Sequence, residues 1–85
     1  MRLLETAKFQ KLRKKLKDPE ERAALRQAVL ELLEDPGAGK KLKGEFRDLR
    51  SFRFSVRGQS RRLIYKQEED ALVLFSFGPR QGIYK

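Results

Sequence analysis

The chain has 85 residues with 21 lysines and arginines against 12 aspartates and glutamates, a formal net charge of +9, and neither cysteine nor histidine. This length allows one domain with a small core, so we expect a single domain over residues 1–85. The composition excludes a disulfide scaffold and any zinc site built from Cys or His, and we expect no structural metal and no cofactor. No apolar run is long enough for a signal peptide or a membrane span, so we expect a cytoplasmic protein that does not associate with membranes.

The positive charge is concentrated in the middle of the chain. Between residues 35 and 67 there are ten lysines and arginines against three acidic residues. A surface with this excess attracts polyanions and repels other basic surfaces. The charge distribution therefore favours a nucleic-acid partner.

The first half of the chain has the pattern of two helices. Leu3-Leu4 could add one short strand, and Thr6 can cap a basic helix that continues to Lys17. Apolar residues recur along that helix at helical spacing: Phe9, Leu12 and Leu16. The sequence Asp18-Pro19-Glu20-Glu21 predicts the N-terminus of a second helix, which ends before Asp35-Pro36-Gly37. Two helices joined by a tight turn are expected to form an antiparallel hairpin.

The period changes to two in the second half, which predicts strands. Phe52, Phe54 and Val56 alternate with polar residues, so we expect an apolar face and an opposite face that carries Arg53 and Arg57. A turn at Gly58-Gln59-Ser60 precedes a returning strand over 61–66, and residues 71–77 form a central strand. The fold class is α+β in the order β-α-α-β-β-β, with both helices on one face of a small antiparallel sheet.

Several residues have both a structural and a functional interpretation. Four phenylalanines could stack on bases, but their apolar neighbours favour the core: Phe52, Phe54, Phe75 and Phe77. Arg61 and Arg62 are adjacent on one strand, so they must lie on opposite faces. Lys43 belongs to a glycine-containing basic segment that does not match GxxxxGK[ST], and we predict a mobile basic loop that contacts RNA.

Three motifs occur in order along the chain: KLKG before the first long strand, RRLIY in the second, and GPR followed by a tyrosine. Taken in this order, they resemble the RelE/ParE superfamily, the toxin components of bacterial toxin-antitoxin pairs. The likeness is nearer the RelE branch. It implies a microbial-ribonuclease fold, cleavage of mRNA in the ribosomal decoding site, and an antitoxin that wraps and blocks the toxin. By position, the family's active surface falls on five residues of this chain: Arg53, Arg57, Arg62, Arg80 and Tyr84.

We therefore expect Arg62, Arg80 and Tyr84 to be catalytic, and Arg53, Arg57 and Lys43 to bind RNA. The expected partners are a cognate acidic antitoxin and mRNA on the ribosome, with contacts to ribosomal RNA through the basic surface. Arginine suits phosphate because its planar fork donates two hydrogen bonds and stays charged, but it is a poor base. Without histidine, the proton carriers are tyrosines, lysines or carboxylates.

Two departures from the family pattern leave the general base open. Ser55 stands where the ribonucleases usually have a second lysine, and the spacing between Arg80 and Tyr84 is shorter. ParE-type relatives share the fold but inhibit DNA gyrase without catalysis, and a catalytically inert RNA-binding relative is a further alternative.

Overall fold

A computed structural model describes residues 1–79 of the protein. The helices are α1, Ala7–Lys15, and α2, Pro19–Glu34, and a 3-10 turn spans Gly44–Phe46. The strands are β1, Arg2–Glu5; β2, Lys40–Lys41; β3, Arg50–Val56; β4, Gln59–Glu68; and β5, Ala71–Gly78.

The five strands form one mixed sheet in the order β1-β5-β4-β3-β2. Strand β1 is parallel to β5, whereas the other neighbouring strands are antiparallel. Helix α1 lies against β5 and β1, and α2 lies against β3. This arrangement confirms the predicted fold class. The sheet is mixed rather than antiparallel, because the predicted first strand pairs in parallel with β5, and the two-residue β2 is an additional strand. Neither helix within residues 1–79 is long and apolar enough to cross a membrane.

Both helices begin at the predicted caps. The Thr6 hydroxyl accepts a hydrogen bond from the backbone N–H of Phe9 at 3.1 Å and donates one to the carbonyl of Phe75 at 3.1 Å, which fixes the start of α1 on β5. Helix α1 ends at Lys15, two residues before the predicted end, because the backbone must become extended before Asp18 can cap α2.

The core lies between the helices and one face of the sheet. Phe9 of α1 packs edge-on against Phe77 of β5, with the ring centroids 5.3 Å apart. The other core residues are Leu25, Ala28 and Leu32 of α2 with Phe54, Val56, Leu63, Tyr65, Leu72 and Leu74 of the sheet. Phe54 and Phe77 are core residues as predicted, and Phe52 packs against the core while half-buried. The prediction that Phe75 is a core residue was wrong: it is half-buried and alternates with the core residues Leu72 and Leu74, so it lies on the opposite face of β5.

The β3–β4 hairpin turns one residue earlier than predicted. Arg57 and Gly58 both have positive φ, 51° and 77°, as in the two-residue type I′ turn that matches the twist of paired strands. Strand β4 therefore begins at Gln59, and Arg57 leaves the face that carries Arg53.

Candidate nucleic-acid interface

Two arginines meet on the sheet face away from the helices. Arg53 of β3 pairs directly with Arg62 of β4, while their sequence neighbours Phe54 and Leu63 point into the core. Side chains directly opposite on antiparallel strands lie on one face with their Cβ atoms about 5 Å apart. Like charges at that spacing destabilise a sheet, so the Arg53–Arg62 pair lowers the stability of the fold. We call the sheet face that carries Arg53 and Arg62, away from the helices, the open face.

The three strands β2, β3 and β4 carry a single acidic residue between them. Strands β2 and β3 contain no acidic residue, and β4 has one, Glu68 at its far end, whose nearest carboxylate oxygen lies 3.5 Å from Nζ of Lys66. Arg53 is exposed, and its side chain makes no hydrogen bond or ion pair with any residue in 1–79. Arg62 is half-buried beside it. The open face therefore has the charge and donors of an anion-binding surface.

The side chains of Arg57 and Arg61 lie on the helix side of the sheet, where they pair with acidic residues at the start of α2. Arg57 forms a bidentate pair with Asp18, including a 3.0 Å bond from Nη2 to Oδ1, and its Nε lies 3.2 Å from Glu20. Nε of Arg61 lies 3.4 Å from Glu21. These pairs tie the β3–β4 hairpin to the start of α2, and the Arg57 hydrogen bond holds the pKa of Asp18 below its usual value. The expected separation of Arg61 from Arg62 is observed, and the RNA-binding role of Arg57 stays a prediction.

Tyr65 is a buried structural tyrosine. Its side chain is fully enclosed, and its hydroxyl donates to the carbonyl of Pro36 at 2.7 Å and accepts from the N–H of Gly39 at 3.0 Å. A Cβ at Gly39 would lie 2.6 Å from this hydroxyl, so glycine is needed for the close approach. Burial raises the pKa of Tyr65, and this disfavours the phenolate that a general base requires. Of the tyrosines considered as proton carriers, Tyr65 is therefore unsuitable.

The basic segment after this contact is partly ordered into the sheet. Lys40 and Lys41 form β2, and Arg50 donates a 2.8 Å hydrogen bond to the carbonyl of Gly39. Lys43 lies beyond the strand, exposed, as the residue before the 3-10 turn. Lys40 and Arg50 were not among the predicted site residues, and the only sequence signal for them was the density of positive charge.

Of the predicted site residues, the structure brings Arg53 and Arg62 together, and it places Arg57 and Lys43 elsewhere. Arg80 and Tyr84 lie outside the described residues, so their roles remain predictions. Within residues 1–79 there is no group of three or more carboxylates that could hold a metal ion.

A second surface lies between the helices on the other side of the molecule. Its floor is apolar, with Phe9, Leu25 and Leu74, and the exposed Leu3 of edge strand β1 borders it. The charged residues of this helix groove are Glu5, Arg13, Arg22 and Arg26. Arg13 is paired with Glu5 at 2.7 Å, whereas the exposed Arg22 and Arg26 have no side-chain partner among the described residues.

Comparisons with known proteins agree with this fold. The sequence model of the ParE-like toxin of type II bacterial toxin-antitoxin systems matches residues 3–85. No curated protein matches the sequence significantly. The toxin fold in the intact E. coli RelBE toxin-antitoxin complex matches with a TM-score of 0.73 and 25% identity, covering 94% of this chain and 96% of that one.

The isolated E. coli RelE toxin matches with a TM-score of 0.72 and 26% identity over 98% of this chain and 89% of its own. A copper-bound mutant toxin from Helicobacter pylori shares the fold at a TM-score of 0.61 and 21% identity, with 94% of each chain covered. The chain thus belongs to the ParE-like toxin family of type II bacterial toxin-antitoxin systems, and its fold is nearer to RelE.

Proposed function

We propose that the protein is an endoribonuclease that cleaves mRNA on the ribosome and thereby inhibits translation. The observation that carries this proposal is the Arg53–Arg62 pair on the open face, two like charges in register without a carboxylate on β2 or β3. An arrangement that lowers stability and leaves the Arg53 side chain exposed is typical of a functional surface. The likeness to RelE supports RNA as the polyanion. The proposed substrate places the activity in the cytoplasm.

In this proposal Arg62 and Arg53 stabilise the reacting phosphate. Cleavage by the neighbouring 2′-hydroxyl builds negative charge on the phosphoryl oxygens, and guanidinium donors fixed on strands need little reorganisation to meet it. Arg80 would add a further donor. Proton transfer falls to Tyr84, a lysine or a carboxylate, because the hydroxyl of Tyr65 is already hydrogen-bonded to Pro36 and Gly39.

The adjacent arginines of β4 give a matched test. Arg62→Gln removes a cation from the open face, whereas Arg61→Gln removes one that pairs with Glu21 beneath the helices. We expect Arg62→Gln to slow single-turnover cleavage of ribosome-bound mRNA on the order of 100-fold, and Arg61→Gln to keep the parent rate within a few-fold. Co-sedimentation with ribosomes should change little in either variant.

Equal cleavage rates for Arg62→Gln and the parent chain would remove Arg62 from the site. An absence of cleavage by the parent chain, together with inhibition of DNA gyrase in a supercoiling assay, would favour the non-catalytic ParE-type function instead.

We also propose that a cognate antitoxin lays an acidic amphipathic segment in the helix groove. Apolar side chains of such a segment would cover Phe9, Leu25 and Leu3, and its carboxylates would meet Arg22 and Arg26. The partner would also bury the edge strand β1, where Leu3 and Leu4 are both more than a third exposed.

Two charge-reversal variants, one on each helix, test this partner surface, and the variant on α1 is the control. Arg22→Glu/Arg26→Glu reverses two charges at spacing i, i+4 on the groove wall, and Lys11→Glu/Lys15→Glu makes the same change on exposed positions of α1 outside it. Only the first variant should fail to co-purify with the antitoxin when the two are co-expressed. Equal retention of the antitoxin by both variants would contradict the docking site.

A further inference from the structure

The two lysines of β2 lie on opposite faces of the sheet. Lys40 pairs with Ser51 and Lys41 pairs with Arg50. Ser51 shares the open face with Arg53, two residues further along β3, whereas Phe52 and Phe54 turn toward the helices. Because residues directly opposite on antiparallel strands share a face, Lys40 belongs to the open face and Lys41 does not.

The start of β2 is fixed by hydrogen bonds to side chains of β3 and β4, not by an extended strand pairing. A two-residue strand has little intrinsic stability. Here Tyr65 accepts from the N–H of Gly39, the residue before Lys40, and Arg50 donates to the Gly39 carbonyl. Both backbone groups of Gly39 are therefore bonded to side chains from β3 and β4. The backbone that carries Lys40 is fixed in position on the sheet.

A groove runs along this edge of the open face. Its lining includes Ala38, Lys40, Ser51, Arg53 and Arg62. Lys41 also borders the groove, but its register position opposite Arg50 lies on the other face of the sheet. Lys40 and Arg62 stand on strands two places apart and are offset by two residues along the sheet. Their backbone positions are therefore about 12 Å apart at a strand spacing of about 4.8 Å and a rise of about 3.4 Å per residue, and Arg53 stands on the strand between them. Lys40 is exposed, and its side chain has no hydrogen bond or ion pair within residues 1–79.

We infer that Lys40 completes a phosphate-binding track with Arg53 and Arg62, along which single-stranded RNA lies across β2, β3 and β4. This inference rests on the proposed function and extends it, because it assigns a second phosphate, next to the one held by the arginine pair, to Lys40. Tyr65 and Gly39 are positioning residues for this track, since they act only through the backbone at Lys40.

Lys40→Gln and Lys41→Gln form a matched pair for the test, since they remove the same charge from adjacent residues on opposite faces. Binding is measured by fluorescence anisotropy with a labelled single-stranded oligonucleotide of 2′-O-methyl RNA, which cannot be cleaved, over a series of salt concentrations. For single strands, the slope of log affinity against log salt is about 0.7 per phosphate neutralised. We expect Lys40→Gln to reduce the slope by about 0.7 and Lys41→Gln to leave it unchanged.

A duplex RNA of the same length should bind the parent chain more weakly than the single strand and should lose no more affinity with Lys40→Gln than with Lys41→Gln. Equal slopes for the two lysine variants, with a reduced slope for Arg53→Gln, would overturn the Lys40 assignment and leave the proposed function standing. A parent chain with no salt-dependent RNA binding would overturn both.

Discussion

Replacing Tyr65 by phenylalanine removes one hydroxyl and keeps the ring in the core. Two backbone groups then lose their partner, the carbonyl of Pro36 and the N–H of Gly39, at a site where the tyrosine side chain is 0% exposed. A buried polar group left without a partner costs about 1–3 kcal/mol, and partial hydration of the 36–39 loop offsets some of it. We therefore expect Tyr65→Phe to lower the free energy of unfolding by about 2 kcal/mol.

The loss should appear in urea unfolding followed by circular dichroism, with an unchanged m-value, because the surface exposed on unfolding is the same. For a domain of this size the melting temperature should fall by roughly 8–16 °C. Ser55→Ala is the control, since it deletes a hydroxyl from an exposed strand position and should change stability by less than about 0.5 kcal/mol. Parent-like unfolding of Tyr65→Phe would refute the claim that its hydroxyl holds the loop before β2.

Three further changes test other parts of the structure. Arg57→Gln should make unfolding less sensitive to acid, because the pKa of Asp18 is lowered in the folded parent. The resulting stabilisation is present above the unfolded pKa of about 4 and is lost as the pH falls through the folded pKa. The free energy of unfolding of the parent should therefore fall more between pH about 5 and 2 than that of the variant. Gly58→Ala should cost about 1–2 kcal/mol in urea unfolding because φ is +77° at this turn, and equal stability would argue against the type I′ geometry. Arg80→Ala should slow single-turnover mRNA cleavage about 100-fold, and Tyr84→Phe should slow it without lowering the melting temperature; parent rates in both would remove these residues from the site.

The sequence predicted those parts of the structure that depend on local patterns. Helix caps at Thr6 and Asp18 follow from side-chain chemistry within three residues, and the separation of Arg61 from Arg62 follows from strand alternation. These local rules were sufficient for the fold class and for placing Arg62 on a face away from Arg61.

Features that depend on distant contacts were not predictable in this way. The hydroxyl of Tyr65 bonds to Gly39, 26 residues away, and a two-residue strand shows no periodicity that could place Lys40 on a face. The expected position of Arg57 beside Arg53 was wrong because an arginine in the left-handed region is uncommon and gives no turn signal of its own.

The endoribonuclease proposal is tested most directly by mapping the 5′ ends of mRNA after a brief pulse of expression in growing bacteria. The parent chain is compared with an Arg53→Gln/Arg62→Gln variant that has lost both cations of the open-face pair. The proposal predicts new ends within translated reading frames for the parent and few or none for the variant. Growth arrest by the parent chain without new mRNA ends would contradict it.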